Sequence, residues 1–210
     1  MISLEFARTL YDNDDPVHDF DHVLRVLTLA RRIAQAEGAD RAVVETAALL
    51  HDIHRVTQDA AGAAAEVDHA LLAADQARDI LAALEPAPAP AFIDAVAHAI
   101  AAHRFRSAIE PQTLEAKCVF DADKLDAIGA IGVARAYAYG ARNGQRLWGE
   151  VPPGYDGAGP EHTPHHEFVF KLARIPERLY TATGRAIAQD RAAFMRGYFE
   201  RLAAEVRGDV

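Results

Sequence analysis

Three observations predict an all-α protein. About 45 of the 210 residues are alanine, the strongest helix former, and only 16 are aromatic, so strand formers are scarce. Stretches free of glycine and proline alternate with short segments rich in them. The chain is 50% hydrophobic and 25% charged, enough to bury a core and unlike a disordered composition.

The elements follow in order. Residues 17–37 contain no Gly or Pro, with Pro16 before them and Gly38 after, the asymmetry expected of a helix with a stripe at Val26, Leu29 and Ile33. Asp40 is a good N-cap for a second helix running to about Arg55. Thr57 to Glu66 reads as a small, polar loop and Val67 to Leu84 as a third helix. The proline-rich segment Glu85 to Pro90 reads as a stiff connector. A fourth helix is expected over Phe92 to Arg104. A fifth begins near Thr113 and continues past Asp126, with Gly129 and Gly132 permitting close packing or an early stop. Gly140 to Pro164 forms a long Gly/Pro-rich loop, either a lid or a surface insertion. Two last helices cover His165 to Ala173 and Arg185 to Val206. Neither the connector nor the loop separates two self-sufficient cores, so residues 1–210 are expected to form one domain.

Charge and composition exclude several functions. The net charge is −9 and no basic run exceeds a pair such as Arg31-Arg32, which argues against duplex nucleic acid. A small anionic substrate remains compatible if a metal or local bases neutralise it. No apolar run approaches the roughly 20 residues of a membrane helix. The N-terminus turns acidic at once and lacks a basic-then-apolar signal, and Cys118 is the single cysteine, so a cytoplasmic protein is expected.

Ten histidines are many for this length. The dipeptide His51-Asp52 is uninformative alone, since about one His-Asp pair is expected by chance and His18-Asp19 is a second. Its position matters more. Val44, Ala48, His51 and Asp52 share one helical face; His18, His22, Val26, Leu29 and Ile33 share another; Val119, Asp123, Asp126, Ala130 and Val133 share a third. Three apolar stripes thus carry imidazoles or carboxylates. A buried carboxylate must be paired or bind a metal. A mixed nitrogen and oxygen set suits an octahedral divalent ion, whereas the alternative is a buried His-Asp network that staples helices.

The segments His18-Asp-Phe-Asp-His22-Val-Leu-Arg25-Val, Ala-Ala-Leu-Leu-His51-Asp52-Ile and Asp121-Ala-Asp123-Lys124-Leu-Asp126-Ala resemble the HD-domain metal-dependent phosphohydrolase superfamily. The likeness is to a small bacterial branch that hydrolyses nucleotides. It extends over residues 15 to 205 and includes Lys171-Leu in the tail. The resemblance implies an HD-type helical bundle of seven or more helices. It implies His22, His51, Asp52 and Asp123 as ligands of one divalent ion, Mn, Mg, Co, Fe or Ni. His22 is preferred to His18 because it begins His-x-x-Arg-Val, and Asp123 to Asp121 because it begins Asp-x-x-Asp-Ala. Asp121 would then orient a ligand.

The implied reaction is attack of a metal-activated water on a nucleoside or deoxynucleoside phosphate, a triphosphate included, with pyrophosphate release among the outcomes. Two carboxylates already cancel the ion's charge, so the phosphates need further cations: Arg25, Lys124 and Lys171, with Arg104 and Arg106 in reserve. His18 and His103 are the preferred candidates for proton transfer, ahead of His54, His69 and His98. His162, His165 and His166 border the long loop and either cover a substrate or form a solvated cluster. Three rival readings remain: a non-catalytic metal- or nucleotide-binding scaffold, a di-iron oxygenase in which His69 with His98 or His103 holds a second ion, and a hydrolase of a phosphomonoester, a cyclic nucleotide or an alarmone. A homodimer is the candidate assembly.

Overall fold

The computed structural model describes residues 2–11, 19–53, 69–104, 109–157, 159 and 161–210. Every regular element among them is helical. The chain divides into two compact units, Met1–Asp123 with Tyr180–Thr183, and Lys124–Leu179 with Gly184–Val210.

In the first unit a short helix, α1 (Leu4–Arg8), precedes the predicted elements, with the Ser3 hydroxyl accepting from the Phe6 N–H. Sequence periodicity misses it because five residues complete barely one turn. The long helix α2 (Phe20–Glu37) starts at Asp19, whose carboxylate accepts from the His22 N–H at 3.0 Å. It ends at Gly38, which adopts φ 79°, a left-handed conformation that glycine reaches without strain. Phe20, Val23, Val26, Leu27, Ala30, Ile33 and Ala34 bury one face.

Asp40 caps α3 (Arg41–Leu50) as expected, accepting from the Ala42 N–H at 2.8 Å. The helix stops at Leu50 rather than near Arg55, and His51 to Ile53 turn away from it. Side chains satisfy its terminal carbonyls: His51 Nδ1–H donates to the Ala48 oxygen at 2.8 Å and the Tyr11 hydroxyl to the Leu49 oxygen at 2.9 Å. The predicted loop at 57–66 lies outside the described residues. Helix α4 spans His69–Ala82 and α5 spans Pro90–Ala101. Pro90 opens α5 instead of closing the connector, because proline at the first helical position forfeits an N–H that has no partner there anyway. Fully buried alanines, Ala70, Ala73 and Ala77 on α4 and Ala99 on α5, suit close helix packing.

Helix α6 (Leu114–Asp126) stops at Asp126, so Ala130 and Val133 belong to the next helix and not to one continuous stripe. Asp121 on α6 is fully buried. Its carboxylate accepts from the Tyr180 N–H at 2.9 Å, the Thr181 N–H at 2.8 Å and the Thr181 hydroxyl at 2.7 Å.

The second unit takes in the last turn of α6 and the break after it. Gly129, at φ 79°, opens α7 (Gly129–Arg142). A Cβ on Gly132 would stand 2.3 Å from the Ala127 carbonyl oxygen, so the corner closes only around glycine. Arg191 donates to the Leu125 oxygen at 2.6 Å, and Arg135 pairs with buried Asp126 at 2.6 Å. Helix α8 (Pro164–Phe170), a 3-10 helix (Leu172–Arg178) and the long α9 (Ala182–Arg207) complete the fold. Phe168 stacks on Phe199 with centroids 4.5 Å apart.

The loop before α8 is pinned by imidazoles rather than fringed by solvated ones. His165 stacks on Trp148 at 3.9 Å and its Nδ1–H donates to the Gly149 oxygen at 2.8 Å. Buried His166 hydrogen-bonds the Thr163 hydroxyl at 2.7 Å and meets Tyr155 edge-on. His162 bonds the Tyr155 hydroxyl and lies 3.3 Å from Glu167.

Candidate metal centre

Three helical segments of the first unit deliver the site. His22 sits in the first turn of α2, its amide held by the Asp19 cap. His51 and Asp52 occupy the turn that ends α3, and Asp123 lies on α6. His22 Nε2 is 3.3 Å from His51 Nε2, 3.7 Å from Asp52 Oδ2 and 3.4 Å from Asp123 Oδ1. His51 Nε2 is 3.8 Å from Asp52 Oδ2 and 4.0 Å from Asp123 Oδ1. Both imidazoles are fully buried, Asp52 is 3% exposed, and Asp123 is partly open.

The donor chemistry fits a cation. With Nδ1–H committed to the Ala48 carbonyl, neutral His51 presents its Nε2 lone pair to the cluster. Burial drives this imidazole down to about 4, so it is neutral at physiological pH. A lone pair facing two carboxylate oxygens is unfavourable unless positive charge lies among them. A proton on His22 Nε2 satisfies one of these approaches, whereas a divalent ion satisfies all of them. Ligand atoms about 2.0–2.2 Å from a common ion stand roughly 3–4.3 Å apart, and the measured separations fall within that range.

Asp52 faces a second group with its other oxygen. Asp52 Oδ1 is 3.4 Å from His103 Nε2 and 3.9 Å from His69 Nε2, all three residues being buried. His103 repeats the device used by His51, donating Nδ1–H to the carbonyl three residues back, Ile100, at 2.6 Å. Asp52 therefore stands between His22 and His51 on its Oδ2 side and His69 and His103 on its Oδ1 side, while His22, His51 and Asp123 form a group of their own.

The four expected ligands thus converge, and His103 joins them across Asp52. Asp121 holds the 180–181 turn. Asp123, two residues on, projects from another side of the helix, towards His22 and His51. Arg25 is half-buried one turn after His22. Lys124 follows Asp123 in the chain, and the Lys171 ammonium pairs with Glu167 at 2.8 Å in the second unit. His98 is engaged by the Gln112 N–H at 3.0 Å. His18, His54 and Arg106 lie outside the described residues. The double use of Asp52 had no signal in the sequence, because a bridging carboxylate looks like any other aspartate until both of its flanks are folded.

This arrangement and the helical fold belong together: the HD-domain family profile matches residues 19–128, and the chain belongs to that family of metal-dependent hydrolases. Across its length the chain is 33% identical to the uncharacterized protein YpgQ of Bacillus subtilis, covering 97% of this chain and 91% of that protein. The crystal structure of Bacillus subtilis YpgQ in complex with ADP superposes with a TM-score of 0.75 at 30% identity, covering 98% of this chain and 99% of that one. A predicted HD superfamily hydrolase from an uncultured Thermotogales bacterium superposes with a TM-score of 0.67 at 32% identity, covering 96% and 90%. Among the described residues no helix is long and apolar enough to cross a membrane.

Proposed function

We propose that this chain hydrolyses nucleoside or deoxynucleoside phosphates with a divalent ion held by His22, His51, Asp52 and Asp123. The approach of the His22 and His51 Nε2 atoms to each other and to both carboxylates, at 3.3–4.0 Å, carries this reading. The ADP complex of YpgQ supports a nucleotide as ligand. A bound divalent ion lowers the pKa of its water and polarises a phosphoryl oxygen. The protein's part is to hold His51 neutral, to fix its ring through Ala48, and to keep Asp52 dry. In this reading Arg25 and Lys124, beside the cluster in the chain, neutralise the phosphates, while His18 and His103 are the candidates for moving a proton. Asp121 contributes indirectly, by fixing the helix that carries Asp123.

The test is a nucleotide panel with Mn²⁺, Mg²⁺ and Co²⁺, with products identified by chromatography, run beside His51→Ala. Metal-dependent release of phosphate or pyrophosphate is expected from the parent and not from the variant. Undiminished turnover in His51→Ala ends the proposal. The grouping of Asp52, His69 and His103 supports a second reading, a di-iron oxygenase, in which these residues would hold a second ion. One ion per chain, with no iron-dependent optical band, rejects it.

A further inference from the structure

The turn that presents His51 and Asp52 is braced by a residue outside the family-matched segment 19–128. Helix α3 ends with carbonyls that its own backbone cannot satisfy. His51 takes that of Ala48, and the Tyr11 hydroxyl takes that of Leu49 at 2.9 Å, from 38 residues upstream. The Tyr11 ring lies 5.5 Å from Phe20, two residues before His22 at the start of α2. Arg8 sits over the Phe20 ring at 4.5 Å and Ala7 is fully buried, which fastens the segment in place. Tyr11 therefore touches both elements that supply imidazole ligands.

We propose that Tyr11 is a positioning residue for the metal ligands, its hydroxyl fixing the His51-Asp52 turn while its ring fixes the approach of α2. The inference rests on the metal reading above. Loss of a supporting contact of this kind weakens metal binding about ten- to a hundredfold. Coupling is reciprocal, so metal must in turn stabilise the N-terminal segment.

The experiment uses the full chain and Mn²⁺ as probe. Tyr11→Phe keeps the ring and removes only the oxygen. Titration calorimetry is expected to show its Mn²⁺ Kd weakened about tenfold or more. Tyr137→Phe, which removes a buried hydroxyl in the second unit, is expected to stay within about twofold of the parent. Bound to Co²⁺, Tyr11→Phe should show a shifted visible absorption band. In the parent, Mn²⁺ should slow amide exchange over residues 2–11. A Tyr11→Phe Kd within twofold of the parent, an equal loss in Tyr137→Phe, or N-terminal exchange indifferent to Mn²⁺ overturns the inference. A parent that takes up no Mn²⁺ overturns the metal reading and this inference with it.

Discussion

Asp52→Asn separates a metal ligand from a structural staple, because the two roles predict opposite signs. The Asp52 carboxylate is 3% exposed and faces Nε2 atoms on both flanks, at 3.7 and 3.8 Å through Oδ2 and at 3.4 and 3.9 Å through Oδ1. In the metal-free protein, burying this charge is a cost, so the neutral isostere should stabilise the fold by about 1 kcal/mol. For a chain of this size that raises Tm by about 2–4 °C. With metal the sign reverses. At a Mn²⁺ concentration a hundredfold above Kd the parent gains about 2.7 kcal/mol, or roughly 5–11 °C. Losing a buried charged partner costs about 3–5 kcal/mol, which is about two to four decades in Kd. At the same Mn²⁺ concentration the variant should then rise by about 2 °C or less. Differential scanning calorimetry in EDTA and in Mn²⁺ reads both numbers. A variant that melts lower than the parent in EDTA yet keeps the full Mn²⁺ shift would show Asp52 to be a staple and refute the reasoning.

Three further predictions follow from the same contacts. His51 is held near 4 in the fold against about 6.5 unfolded, so the unfolded chain binds more protons between those values. Stability of the metal-free protein should therefore fall as pH drops from 6.5 towards 4, by about 3 kcal/mol in all. Urea midpoints in EDTA should show the loss, and His51→Gln should flatten it; an unchanged slope argues against a buried neutral imidazole. Asp121→Ala strands the Tyr180 and Thr181 donors and should cost about 2–3 kcal/mol, measured as a Tm drop of about 4–12 °C. Gly132→Ala pushes a methyl group into the Ala127 carbonyl and should cost at least about 1–3 kcal/mol, read from denaturant midpoints; a neutral substitution would mean the corner is looser than described.

The parts of the fold legible in the sequence are those decided locally. Asp40 and Gly38 announce their helix ends because capping and left-handed backbone are properties of one residue and its neighbours. The candidate ligands on α2, in the turn that ends α3 and on α6 were legible because each continues an apolar stripe and their joint order matches a family. What was not legible depends on distant partners. The end of α3 at Leu50 requires Tyr11 from a remote segment, and the post of Asp121 requires Thr181, 60 residues on. The break after Asp126 did have a local cue in Gly129 and Gly132, which sequence reading weighed as packing or a stop without choosing. The histidines around the long loop read as solvated or as a cover, since nothing local shows that Trp148 and Gly149 fold back onto them.

His51 and His103 are both aimed by a carbonyl of their own helix's last turn, three residues back. Many metal sites recruit an extra carboxylate for that purpose, and each such group adds a full negative charge beside the centre. Here the orienting partners are backbone dipoles, which carry only fractional charge. In the proposed reaction a phosphate-bearing molecule would meet less repulsion on its way in, and the ring orientations come from backbone geometry that no point mutation at positions 48 or 100 deletes outright.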